Sequence, residues 1–224
     1  MDIGKSLHDS SEYAKDVVWG KWVRWILLIF CTLFFPLLLG YEVEIYRGNK
    51  PAPDWCKLER FFIEGLKLFI IELIYAIPVI IAAVIFIGGG VVLAFSGSTR
   101  DILAMVGPIL IGVLITLIVA IVIGLVEAMG VVRFARLGRM GEAFNFGAIF
   151  ETIGKIGWFS YILAMIAMFI VVFIITVILS FIPILGPILL FIIAPALAIF
   201  AAQYITLVYD SVPTEAPPAS PPAT

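Results

Sequence analysis

Residues 102–126 read ILAMVGPILIGVLITLIVAIVIGLV, an apolar run of 25 residues without a charged side chain. At a rise of about 1.5 Å per residue, such a helix is about 37 Å long and exceeds the roughly 30 Å hydrocarbon core of a bilayer. Three further apolar runs of similar length are also long enough to span a bilayer: 68–95, 157–181 and 184–208. The sequence therefore predicts an all-α integral membrane protein with four transmembrane helices, arranged as two hairpins.

The composition supports this class and excludes others. Hydrophobic residues make up 63% of the 224 residues and charged residues 13%, with a mean hydropathy of +1.18, whereas a soluble domain has about 45–50% and 25%. A formal net charge of −2 does not fit a nucleic-acid partner. His8, Cys31 and Cys56 are too few and too scattered for a zinc site. We expect two free thiols, no metal and no cofactor.

A fifth apolar run, residues 26–39, is short for a span, since its 14 residues give about 21 Å of helix and include Pro36. If it crosses fully from a cytoplasmic N-terminus, nine basic residues lie outside and five inside; if it dips in and returns, 13 lie inside and only Arg100 outside. The positive-inside rule favours the second arrangement. We therefore predict a re-entrant or interfacial segment and a multi-pass protein of the cell membrane with both termini cytoplasmic. Five transmembrane helices are the alternative.

The other segments frame these apolar runs. Their predicted bounds are a polar, interfacial N-terminal segment at 1–25, the re-entrant or short hydrophobic helix at 26–39, a helical membrane domain at 40–210 that opens with a loop at 40–54, an amphipathic helix at 55–66, and a flexible Pro-rich tail at 211–224. The tail has too little apolar surface to fold alone. The amphipathic helix has its apolar residues at helical spacing and leads into the first long span.

The second half of the chain resembles the first. FFIEGLKLFIIELIY (61–75) and IFETIGKIGWFSYIL (149–163) each place an aromatic residue and a glutamate ahead of a lysine and an apolar run. The predicted unit is an amphipathic helix, a span, a short outer turn and a second span, over roughly 52–127 and 143–209. Two such units in the same orientation are related by a pseudo-two-fold axis along the membrane normal. Chance similarity between apolar segments is the alternative.

Acidic residues at the ends of the spans are the strongest candidates for a polar site. Glu72 lies about one turn inside its apolar run, and Glu127 closes another. Ionisable groups in a span are costly and face the bundle interior or water. We expect an intramembrane polar cluster on the cytoplasmic side, in which ion pairs orient the helices: Glu64, Lys67, Glu72, Glu127 and Arg133. A proton- or cation-binding site open to the cytoplasm is the alternative.

The last span carries a candidate helix-packing face. Ala194, Ala198 and Ala202 follow one another at four-residue spacing, so they share one side of a helix. Small residues in this pattern let helix backbones approach closely in membranes. The pattern fits packing within the chain as well as packing between subunits.

Short motifs in a fixed order relate the chain to a known family. They are Gly40–Tyr41, Pro-x-Pro-x-Trp at 51–55, Gly65–Leu66–Lys67, Tyr75-x-x-Pro78, Ala143–Phe144, Trp158, Tyr161 and Tyr209–Asp210. With them, the sequence resembles over about residues 20–210 the archaeal multi-pass membrane family catalogued as domain of unknown function number 4013. The resemblance implies an all-helical, membrane-embedded fold. It transfers no activity and no catalytic residue.

The sequence contains no catalytic motif, so we do not expect an enzyme. The GKS at 4–6 lacks the preceding glycine of a phosphate loop, and a single histidine excludes H-E-x-x-H. The features that remain predict a non-enzymatic scaffold, oligomer-forming or membrane-shaping module. Its expected partners are membrane lipid and either further copies of the chain or a larger membrane complex. The alternatives are a small-solute, ion or lipid transporter that works as an oligomer, and an accessory subunit of a membrane complex.

Overall fold

The computed structural model describes residues 2–48, 58–96, 102–183 and 185–212. These residues form helices and the turns between them, without a strand among them. The elements are α1 (Ile3–Val18), α2 (Trp22–Leu33), α3 (Phe35–Tyr46), α4 (Leu58–Ala82), a π-helix (Ala83–Gly88), α5 (Gly89–Ser96), α6 (Ile102–Leu137), a short 3-10 helix (Met140–Phe144), α7 (Phe146–Ile156), α8 (Trp158–Ser180) and α9 (Leu185–Asp210).

Four helical stretches are long and apolar enough to cross a membrane: Leu58–Phe95, Val106–Leu137, Trp158–Ser180 and Leu185–Asp210. The predicted all-α membrane fold with four spans is thereby confirmed, and the chain is a multi-pass membrane protein. The second span continues well past the end of its predicted run at residue 126. Its last turns are buried against protein, because Met129, Val132 and Phe134 are fully enclosed.

Residues 22–46 form two helices instead of one straight span. α2 and α3 are bent by 120° at Phe34. Pro36 lies in the first turn of α3, where a helix needs no backbone N–H donor. This geometry is that of a broken span or a re-entrant loop. It matches the two arrangements that the sequence left open for this segment.

The predicted loop at 40–54 is wrong for residues 40–46, which complete α3. Tyr41, Val43 and Ile45 are buried there, so the segment gains packing that its mixed polar and apolar sequence did not reveal. Residues 49–57 lie outside the described residues, and with them the rest of that loop, the start of the predicted amphipathic helix, and Cys56. The predicted tail lies outside them from residue 213 onward.

The protein core lies at one end of the bundle, which we call the charged end because the ion pairs between helices lie there. It contains the start of α4, the last turns of α6, the start of α8 and the second half of α9, with α1 and α3 packed around them. Towards the opposite end, long apolar side chains such as Leu93, Leu114 and Phe173 are at least half exposed. Such a surface suits contact with lipid chains.

α3 and α4 cross with their backbones in direct contact. A Cβ atom on Gly40 would overlap the backbone of Phe61, and one on Gly65 would overlap the carbonyl of Pro36. Glycine permits this approach because it has no side chain. The first hairpin also has a close backbone contact at a glycine, since a Cβ on Gly112 in α6 would overlap a backbone carbonyl of the π-helix. The close approach fixes where α3 lies on the bundle.

The two predicted repeat units share the order of their elements but differ at the start. In the first unit α4 runs from its amphipathic beginning into the span without a break. In the second unit Gly157, with φ of 93°, separates the amphipathic α7 from α8. Only glycine adopts this conformation at little cost. The pseudo-two-fold relation between the units stays a prediction.

We expect Gly65→Ala to destabilise the protein, because the added methyl group would have to push α3 away from α4. Overpacking of this kind costs about 1–3 kcal/mol, which lowers the thermal unfolding midpoint in detergent by several degrees. Gly154→Ala is the matched control, since a Cβ there meets nothing within 4 Å. Equal midpoints for the two variants would contradict the close backbone contact.

Candidate functional site

A cavity of about 530 Å³ lies between the helices next to the charged end. Helices α6 and α8 supply most of the lining and form its walls, and α3, α4 and α9 supply one residue each. The lining residues are Tyr46, Glu72, Leu117, Ile121, Gly124, Leu125, Glu127, Ala128, Val131, Met165, Ile166, Met168, Phe169 and Ile205. The volume falls within the range of small-molecule sites, roughly 300–1,000 Å³.

The walls of the cavity are apolar and open towards lipid. Leu117 and Ile121 on α6 and Phe169 on α8 line the cavity and are each more than half exposed. Met165 and Met168 add flexible side chains that adapt to the shape of a bound molecule. An apolar group can therefore enter sideways from the bilayer.

A hydrogen bond between helices indicates the depth of the cavity. Trp158 begins α8 and is half exposed, as is typical of residues at a membrane interface. One turn further on, the Tyr161 hydroxyl donates to the carbonyl of Leu125 at 2.5 Å. We therefore expect Glu127 to lie near the level of the interface. Leu117 is ten residues earlier on α6, which places it about 15 Å deeper in the membrane.

Two carboxylates mark the end of the cavity that lies at this interface. Glu72 of α4 and Glu127 of α6 line it, together with Tyr46 of α3. The two carboxylates interact electrostatically, and Glu42 on α3 interacts with Glu72. No lysine or arginine among the described residues forms an ion pair with any of these three acids. We call this part of the cavity the acidic end.

Other acids at the charged end have arginine partners, and Arg47 is the centre of this network. Its guanidinium forms ion pairs with Glu44 and, at 2.7 Å, with Glu64. Its Nε donates to the carbonyl of Ala135 at 3.1 Å. The Nζ atom of Lys67 lies 2.8 Å from the Glu64 carboxylate. Arg47 therefore ties the end of α3 to both α4 and α6.

Arg133 and Arg136 on α6 make a second set of contacts. Arg133 forms an ion pair with Glu142 at 2.8 Å, and this hydrogen bond is the main reason why the pKa of Glu142 lies below its usual range. Arg136 binds both carboxylate oxygens of Asp210 at 2.8 Å and donates from Nε to the carbonyl of Tyr46. The end of α6 is thus joined to the ends of α3 and α9.

The structure divides the predicted polar cluster into three parts. Glu64 and Lys67 form an ion pair, Arg133 pairs with Glu142, and Glu72 and Glu127 face the cavity. In the described part of the chain, the expected ion pairs of Glu72 and Glu127 are absent.

Tyr46, Arg47 and Arg136 also belong to the site and its surroundings, although the sequence did not predict them. The three-residue spacing of Glu44 and Arg47 is a helical ion-pair signal that the predicted loop concealed.

The predicted alanine face is used at least in part within the chain. Ala202 is fully buried, whereas Ala194 and Ala198 are partly exposed. One turn beyond Ala202, the Thr206 hydroxyl lies 3.4 Å from the carbonyl of Ile45 on α3. Small residues on this face therefore let α3 approach α9. A role of this face between subunits stays a prediction.

The described residues contain no group of three or more histidine, cysteine or acidic side chains placed to hold a metal ion. Within the same residues, Cys31 is a free, buried thiol. The chemistry that the cavity offers is therefore that of carboxylates, a phenol and an apolar surface.

Comparison with known families gives one match. The family described as "Protein of unknown function (DUF4013)" matches residues 25–184. The chain belongs to the DUF4013 family. This confirms the resemblance that the motifs indicated. The matched residues of this DUF4013 protein include α6 and α8, which form the walls of the cavity. The archaeal source stays a prediction. No curated protein and no solved structure matches the chain.

We expect Glu64→Gln to lower the free energy of unfolding by about 1.5–3 kcal/mol, because it weakens hydrogen bonds to two charged partners. The Glu64 side chain is only 14% exposed. Glu72→Gln breaks no ion pair among the described residues and should leave the thermal unfolding midpoint unchanged or raise it. Thermal unfolding of both variants in the same detergent tests this. A larger loss for Glu72→Gln than for Glu64→Gln would mean that Glu72 has a structural role.

Proposed function

We propose that the protein binds an amphiphilic molecule, a lipid or a lipid-like solute, in its membrane cavity and acts as a small transporter or lipid-handling protein. The observation that supports this proposal is the cavity between α6 and α8, with apolar walls and an acidic end. A concave apolar space with a few polar groups at one end is the combination that small-molecule sites share.

The shape of the cavity fits this role. An amphiphile would place its chain along Leu117 and Phe169 and its polar head near Glu72 and Glu127. The opening towards lipid allows entry from the bilayer, while the acidic end is level with the membrane interface. Four spans are few for a transporter subunit, so we propose that it works as an oligomer. We place the charged end and both termini in the cytoplasm, where basic residues accumulate.

The first test fills the cavity without removing any contact. A Cβ at Gly124 meets nothing within 4 Å, and Gly124 lines the cavity. We expect native mass spectrometry of the gently extracted wild type to detect a stoichiometric bound amphiphile, and Gly124→Leu to lose most of it. Gly154→Leu is the control, because it adds the same side chain on α7 in open space. Equal occupancy of both variants, or a wild type without a stoichiometric molecule, would refute the proposal.

Membrane shaping is a second candidate function, supported by the bent pair α2–α3. Trp22, Ile26 and Leu33 on α2 are each more than 60% exposed, and the pair is bent by 120°. If the pair inserts from one side and returns, it adds area to a single leaflet. This is a physical route to curvature, and it is compatible with a ligand cavity elsewhere in the molecule.

Cysteine labelling tests the insertion on which membrane shaping depends. His8→Cys and Glu59→Cys, each in a background without Cys31 and Cys56, place thiols at exposed positions on either side of the bent pair. We expect a membrane-impermeant reagent to label both from the cytoplasmic side of inverted vesicles and neither from the outside of intact cells. Labelling of His8→Cys from the outside and of Glu59→Cys only from the cytoplasmic side would establish five spans and exclude the one-sided insertion.

A further inference from the structure

We infer that the ligand of the cavity is a lipophilic cation, an amine or quaternary ammonium group on a hydrocarbon chain, with its positive head between Glu72 and Glu127. This inference rests on the proposed function, since it specifies the class of amphiphile that the same cavity binds. The charge of the head follows from the acidic end, and the chain follows from the apolar walls.

The first argument is the contrast between the acids of the cavity and the acids around it. Glu64, Glu142 and Asp210 each have an arginine nitrogen at 2.7 or 2.8 Å. Glu72 and Glu127 have no such partner among the described residues, although they interact with each other. Neighbouring carboxylates in an apolar site repel one another when both are charged. A bound cation removes this repulsion, whereas an anionic head group would increase it.

Tyr46 provides a second and independent argument. Its side chain lines the cavity while the residue is only 7% exposed. Its hydroxyl interacts electrostatically with all the acids of this region, which are Glu42, Glu72 and Glu127. It makes no hydrogen bond to another described residue, so it is available to donate or accept one.

An ammonium head satisfies both features. Its N–H groups can donate to the Tyr46 oxygen and to the carboxylates, and a quaternary head can lie against the tyrosine ring. The hydrocarbon chain then extends past Gly124 to Leu117, about 15 Å along α6. The ligand is thus held at its head by charge and along its length by apolar contact.

The experiment is photo-crosslinking of the full chain in phosphatidylcholine nanodiscs. The probe is dodecanol with a diazirine in its chain, which tests occupancy of the cavity without testing charge. Crosslinked peptides from α6 and α8 report the cavity, and Gly124→Leu defines the background. Unlabelled dodecyltrimethylammonium, dodecanol and dodecanoate then compete with the probe.

We expect dodecyltrimethylammonium to compete about tenfold or more better than dodecanol and dodecanoate to compete least. The double variant Glu72→Gln/Glu127→Gln should abolish this preference while the probe still crosslinks, and each single variant should reduce it. Glu151→Gln is the control, because this glutamate is exposed on α7 and pairs with Lys155. Equal competition by the cation and the alcohol, or a preference that survives both substitutions, would overturn the inference and leave the proposed function intact. If the probe crosslinks the wild type no more than it crosslinks Gly124→Leu, both the inference and the proposed function are overturned.

Discussion

The contact between the backbones of α3 and α4 at Gly40 and Gly65 is the constraint on which the site depends. It brings α3 so close to the bundle that Arg47 reaches α4 and α6. The same placement puts Tyr46 at the acidic end of the cavity. The contact thereby fixes the polar side chains of α3 relative to those of α4.

The charged end and the cavity use acidic residues in two different ways. Where a carboxylate joins helices, an arginine accompanies it, as for Glu64 with Arg47 and Asp210 with Arg136. Burial of the Glu64 carboxylate is tolerable because its charge and hydrogen bonds are compensated. Glu72 and Glu127 lie about two turns further towards lipid and share an open space instead. Among the described residues these two acids have no basic partner, and this contrast is the basis of the proposed binding site.

The spans could be predicted from the sequence because hydropathy is a local property that accumulates over about twenty residues. The pair Glu64–Lys67 was predictable for the same reason, since three-residue spacing on a helix brings side chains together. The cavity was not, because Glu72 and Glu127 are 55 residues apart and meet only through packing. The end of α3 was missed because its burial comes from tertiary contacts, which its alternating sequence does not encode locally. The partner of Arg133 could not be predicted either. It is Glu142 in the short 3-10 helix, whose conformation the sequence did not indicate.

The concentration of the core at the charged end has a consequence for the rest of the molecule. Away from that end few side chains are buried between helices. Contacts with the surrounding hydrocarbon therefore contribute most to the orientation of the helices there. Helices in this situation tilt or separate when the hydrophobic layer is too thick or too thin. We therefore expect the gap between α6 and α8 to respond to the thickness of the lipid, which makes bilayer composition a mechanical variable for this protein.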